Sequence, residues 1–209
     1  MGQQYKRATT CMKRKYFLLP LLLLALITLS VGTLYAQDSV THLEFKGIPL
    51  DGPLNKFVSQ LEKAGYTVTD RTDDVVMMSG QFTGKNATII VVGSKKSKTV
   101  WKVKVLQPKE SSWYDIKSNY KKYKESYTKK YGSPSHNYEF FSRPYYEGDG
   151  YELQALRLDK CTYFTSYDVA GGVIYISMET EERLSISYED STNVKISRTE
   201  KENAIIDDI

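Results

Sequence analysis

The stretch SSWYDIKSNYKKYKESYTKKYGSP, residues 111–134, decides how this chain is to be read. Ser112 is a good helix N-cap, and Asp115 three residues later completes an approximate capping box. Trp113, Ile116, Tyr120, Tyr123, Tyr127 and Tyr131 then recur every three or four residues, the spacing of one helix face. Gly132 and Pro134 stop the helix. The spacing predicts a helix whose inward stripe is mostly tyrosine.

Upstream lies a second helix signal of a different kind. Leu54, Phe57, Val58 and Leu61 stand at i, i+3, i+4 and i+7, an aliphatic and aromatic stripe. Asp51 is expected to cap it, Pro53 suits its first turn, and Gly65 is placed to end it. The remaining sequence alternates like strand, over residues 75–82, 87–92, 99–105, 138–141, 151–158, 161–167, 173–178 and 183–188. The links are short and turn-like, among them Thr83-Gly84-Lys85-Asn86 and Ala170-Gly171-Gly172, so neighbouring strands should run antiparallel. The run at 43–50 reads as a leading strand able to pair with either half.

These elements predict an α+β fold: two helices, each packed on antiparallel strands, in a duplicated helix-plus-four-strand unit. The expected divisions are residues 37–110 and 111–192, two units of one domain, followed by an acidic tail at 193–209. Such an order resembles the tandem helix-plus-sheet modules of the beta-lactamase inhibitory proteins and of small outer-membrane assembly lipoproteins. That is a likeness of topology, and fold does not carry function. At the level of residues, His42-Leu43-Glu44-Phe45-Lys46-Gly47-Ile48-Pro49-Leu50-Asp51-Gly52, Trp101-Lys102-Val103, Tyr131-Gly132-Ser133-Pro134 and Gly148-Asp149-Gly150-Tyr151-Glu152 resemble a recurrent layout of exported Gram-negative envelope proteins. The resemblance spans about residues 42–190. It implies an envelope address and no particular activity.

The address has its own signal. Lys13-Arg14-Lys15 precedes an apolar run from Tyr16 to Leu29, Gly32 breaks it, and Ala36 offers a small residue for a cut before Gln37. We expect a secretory leader over 1–36, starting at Met1 or Met12, and a periplasmic or extracellular protein. A retained inner-membrane anchor is the alternative, because residues 16–36 are long enough to span a bilayer. The leader holds five of the chain's 29 basic residues and none of its 25 acids, so the rest is nearly neutral. That balance gives no electrostatic footing for nucleic acid. Beyond the leader only Cys161 remains, which excludes an internal disulfide and reads as a small buried hydrophobe.

No phosphate loop, serine elbow or HExxH is present, and no cofactor or metal site is expected. The only histidines, His42 and His136, stand far apart without a second ligand at metal spacing. Glu147-Gly148-Asp149-Gly150 lacks the alternating oxygens of a calcium loop and reads as a tight turn. Two surface features stand out. The helix at 112–131 carries Lys117, Lys121 and Lys124 away from its stripe, and Arg143, Tyr145 and Tyr146 occupy an exposed-looking loop. These six residues are the expected interaction surface, for an envelope protein or glycan. Non-catalytic binding is thus the first expectation. The alternative is a small cell-wall or glycan hydrolase, using His136 with Glu139 or Asp149, which must share reach of one substrate.

Overall fold

The computed structural model describes residues 41–207, which belong to one compact unit, Val40–Ile209. The expected leader and its cut at Ala36-Gln37 lie outside the described residues. Ten strands and four helices are found among the described residues, and eight of the strands form one antiparallel sheet. A small hairpin of β1 (Glu44–Phe45) and β2 (Ile48–Pro49) comes first, then α1 (Leu54–Lys63), then β3 (Thr67–Arg71), β4 (Val75–Phe82), β5 (Lys85–Gly93) and β6 (Val100–Leu106). After α2 (Trp113–Tyr131) come β7 (His136–Phe141), the short α3 (Glu152–Arg157), β8 (Cys161–Val169), β9 (Gly172–Glu179) and β10 (Arg183–Asp190). Helix α4 (Ser191–Asp207) closes the chain. The sheet order is β3-β4-β5-β6-β10-β9-β8-β7, so the two sets of four strands join through β6 and β10.

One face of this sheet is the core. Ile89, Val105, Ile186, Ile176 and Thr165 follow one another across it in register, as do Val91, Val103, Tyr188, Ile174 and Tyr167. All ten are buried. Helix α1 buries Leu54, Phe57, Val58 and Leu61 over the first strands, as its spacing predicts. Helix α2 buries Ile116, Tyr120 and Tyr123, with Trp113, Tyr127 and Tyr131 packed at the margin of the core. The hairpin seals the seam, where Phe45 meets Phe82, Tyr66 and Tyr188. Gly80 is required there: a Cβ would stand 2.3 Å from the Tyr66 ring.

Local rules account for much of the pattern. Ser112 Oγ accepts the Asp115 amide at 3.1 Å, and Gly65 leaves α1 at φ +91°. Four expectations need correction. Asp51 does not cap α1; Pro53 is the N-cap and brings no side-chain acceptor. Residues 43–50 fold back on themselves, and Lys46 and Gly47, both at positive φ, supply the turn. The expected strand at 151–158 is instead the helix α3 (Glu152–Arg157), in which Ala155 and Leu156 turn inward together, which a strand forbids. The acidic tail is mostly α4. Its inward residues are Asn193 and Ser197; the Asn193 amide donates to the carbonyls of Leu50 and Val100 at 2.6 and 2.8 Å. Strand β3 is an addition to the expected set.

Candidate binding surfaces

The six residues expected to form one surface are distributed over two places. The loop after β7 is tied by its own acids: Asp149 accepts the amides of Tyr146 and Tyr151 at 3.0 and 2.7 Å, and Glu152 accepts that of Gly148 at 2.9 Å. These bonds swing Glu147 against α2, where it pairs with Lys117. Lys117 also stands 6.0 Å from the Tyr163 ring centroid. Partial burial, with Lys121 close by, lowers the pKa of its ammonium. Trp113, Tyr114, Lys117, Lys121, Glu147 and Glu152 border a cleft of about 520 Å³. Lys124 is not part of it and instead holds Glu139 of β7 at 2.5 Å. Tyr145 packs against the core and accepts a hydrogen bond from Gln154 at 3.2 Å, whereas Arg143 and Tyr146 stay exposed. The loop and α2 do meet, but through a satisfied ion pair rather than a free basic patch.

The sheet face opposite α1 and α2 carries a second, larger feature. Alternation places His136, Tyr138 and Phe140 of β7 on that face, because the inward side of β7 is taken by Asn137, Glu139 and Phe141. Tyr138 packs 6.2 Å from Phe164 of β8, which packs 5.7 Å from Tyr175 of β9. His136 stacks on Tyr138 at 6.3 Å. Next to this aromatic ladder lie two ion pairs, Lys102–Glu189 at 2.8 Å and Lys104–Glu179 at 3.1 Å. Burial works to raise the Glu179 pKa, but donors from Ser185, Lys104 and Ser177 outweigh it and hold the carboxyl below its ordinary range. Phe164, Tyr175 and these pairs line a shallow recess of about 270 Å³.

Sequence reasoning singled out His136 among these for chemistry and passed over Phe164, Tyr175 and the lysine–glutamate pairs. They sit at the alternate, outward positions of strands read for their apolar side. The pairing of β6 with β10, which brings the lysines to the glutamates, has no local signal.

The candidate reactive groups do not converge. His136 shares a hydrogen bond with Ser166 at 3.1 Å on the outward face of β7, while Glu139 points to the opposite side and Asp149 is held in its turn. His42 contacts the fully buried Asp190 at 3.0 Å. That carboxylate also accepts the amides of Leu43, Thr192 and Asn193, so it fastens the segment before β1 to the start of α4. The Cys161 thiol is buried, which pushes its pKa up to about 12 and leaves it a poor nucleophile. Among the described residues no three His, Cys, Asp or Glu side chains gather as a metal site would require, and no helix is long and apolar enough to cross a membrane. Comparison with protein-family models, curated proteins and solved structures finds no match.

Proposed function

We propose that this chain is a non-catalytic, exported binding module that engages an envelope protein or glycan through the outward face of its sheet. The observation that carries the reading is the ladder of Tyr138, Phe164 and Tyr175 beside charges that are already paired. Rigid aromatic side chains give contact area at small entropic cost, and pre-paired charges fix polar groups before the partner arrives. The basic start and apolar run of residues 13–29, followed by Gly32 and Ala36, support the exported address. The repeated order of one long helix followed by sheet strands supports descent from a duplicated helix-plus-four-strand unit, whose joining through β6 and β10 doubles the width of the open face.

Capture from envelope extract tests the reading, with residues 37–209 as bait and the Phe164→Ala/Tyr175→Ala double variant beside it. The parent should retain a specific component, and the double variant should lose at least tenfold of it with its fold intact by circular dichroism. Protease treatment of the extract separates the two partner classes, since only a glycan survives it. Equal recovery by parent and variant would remove the sheet face from consideration. The pairing of His136 with Glu139 or Asp149 gains no support, because Glu139 points to the opposite side of β7 and Asp149 is held in its own turn.

A further inference from the structure

The two edges of the large sheet are built differently. Strand β3 carries a bulge between Val68 and Asp70 and ends in Asp70 and Arg71, devices that keep another strand from adding on. Strand β7 has none of these. It runs in unbroken register with β8 from His136 to Phe141, and it has no lysine, proline or bulge. Its one charge, Glu139, is neutralised by Lys124. Tyr138 and Phe140 are 49% and 50% exposed, so a regular strand with an apolar row lies open to water.

Hydrogen bonding on the inner side fixes what the outer side offers. The Ser142 amide donates to the Lys160 carbonyl at 2.7 Å, which makes that pair a hydrogen-bonded one. Antiparallel pairing alternates, so Phe140, Tyr138 and His136 also bond toward β8. The amides and carbonyls of Asn137, Glu139 and Phe141 therefore point outward.

We propose that β7 pairs antiparallel with β7 of a second copy of this chain, about a two-fold axis at Tyr138. In that register the outward groups of Asn137 meet those of the partner's Glu139 and reciprocate its hydrogen bonds, and the Asn137 side-chain amide lies opposite a carboxylate. Tyr138 faces its own copy and His136 faces Phe140, so the aromatic ladder continues across the axis. Centring on Glu139 would oppose two carboxylates, a destabilising pair. Centring on Asn137 would set the partner's Phe141 opposite Ser133, outside the regular ladder that begins at His136. A strand-pair interface is smaller than the roughly 1,200 Å² of standard complexes, so the dimer should be concentration-dependent.

The axis makes the test specific. In a non-hydrogen-bonded antiparallel pair the Cα atoms lie about 4.5 Å apart, within disulfide range. The full chain carrying Cys11→Ser, in mild detergent, serves as parent, since the buried Cys161 is shielded from oxidant. Adding Tyr138→Cys should give a disulfide-linked dimer on mild oxidation, and adding Asn137→Cys at least tenfold less. Glu139→Pro on the Tyr138→Cys background removes an outward amide together with the side chain and should abolish the cross-link, while Glu139→Ala, which removes the side chain alone, should retain it. No cross-link at position 138, or equal cross-linking at 137 and 138, would overturn the proposal. The two cysteine variants decide the matter even if the proline variant does not fold. Association through the apolar leader would not distinguish adjacent positions.

Discussion

Helices α1 and α2 solve the same packing problem with different chemistry. Beneath α1 the contact is aliphatic and phenylalanine: Leu54, Phe57, Val58 and Leu61 bury without a polar atom to satisfy. Beneath α2 the contact is tyrosine, and nearly every phenol has a named partner. Tyr120 donates to Thr165, which in turn donates to Asn137; Tyr123 bonds with Thr83; Tyr127 bonds with Tyr188; Tyr167 donates to the Lys124 carbonyl. The first interface needs only volume and apolarity. The second needs register as well, because a displaced phenol becomes a buried unpaired group. The same hydroxyls also tie the stability of the α2 interface to pH.

That tie gives the largest expected effect. Burial pushes the pKa of Tyr163 up to about 12 and those of Tyr120, Tyr127 and Tyr188 well above the ordinary value. A raised folded pKa contributes stability that is whole below the unfolded value near 10 and is lost as pH rises through the folded value. Each such tyrosine costs up to about 1.4 kcal/mol per pH unit above 10. Urea midpoints should therefore hold steady through neutral pH and collapse between pH 10 and 12. The rise in tyrosinate absorbance should follow unfolding rather than precede it. A flat midpoint to pH 12 would show these phenols to be solvated.

Next come truncations on each side. Phe57→Ala removes a fully buried ring and should cost about 3–5 kcal/mol. Trp113→Ala should cost less, about 2–3 kcal/mol, since Trp113 is only half-buried. Its neighbours are Phe141 of β7 and Tyr163 of β8, with ring centroids at 5.5 and 5.3 Å. Denaturation of each variant beside its parent checks the order. A Trp113→Ala midpoint equal to the parent's would mean that the start of α2 is not docked.

The sequence was legible where period and length agreed. Helices α1 and α2 show several turns of a single stripe, and the strands of the buried face alternate with short turns between them. Legibility failed where an element was too short or too polar to display a period. Six residues of α3 cannot separate a 3.6 repeat from a 2.0 repeat. Strand β3 lies at an edge with four of its five residues exposed, and α4 docks through Asn193, Ser197 and the Glu200 clasp on the Lys96 and Ser97 amides. The interaction surface failed for another reason. Lys117 and Glu147 meet because a loop returns to its helix, and Lys104 and Glu179 meet because β6 pairs with β10; neither is a local property.

The smallest effects give the finest test of the contrast between the helices. Under α1, Leu61→Met conserves volume and should cost below about 1.5 kcal/mol. Under α2, removing a single oxygen should give unequal results at two tyrosines. Tyr127→Phe leaves the buried Tyr188 hydroxyl with no other hydrogen-bond partner among the described residues, so the cost should approach about 1–3 kcal/mol. Tyr120→Phe leaves Thr165 still donating to Asn137 at 2.8 Å, so only one net bond is lost, about 0.5–1.5 kcal/mol. A double-mutant cycle of Tyr127→Phe with Tyr188→Phe then isolates the shared bond. If it is the orphaned hydroxyl that costs, the double variant should be more stable than Tyr127→Phe alone. Were the two losses simply additive, the phenols under α2 would be acting as bulk, and the two helices would be packed by the same rule after all.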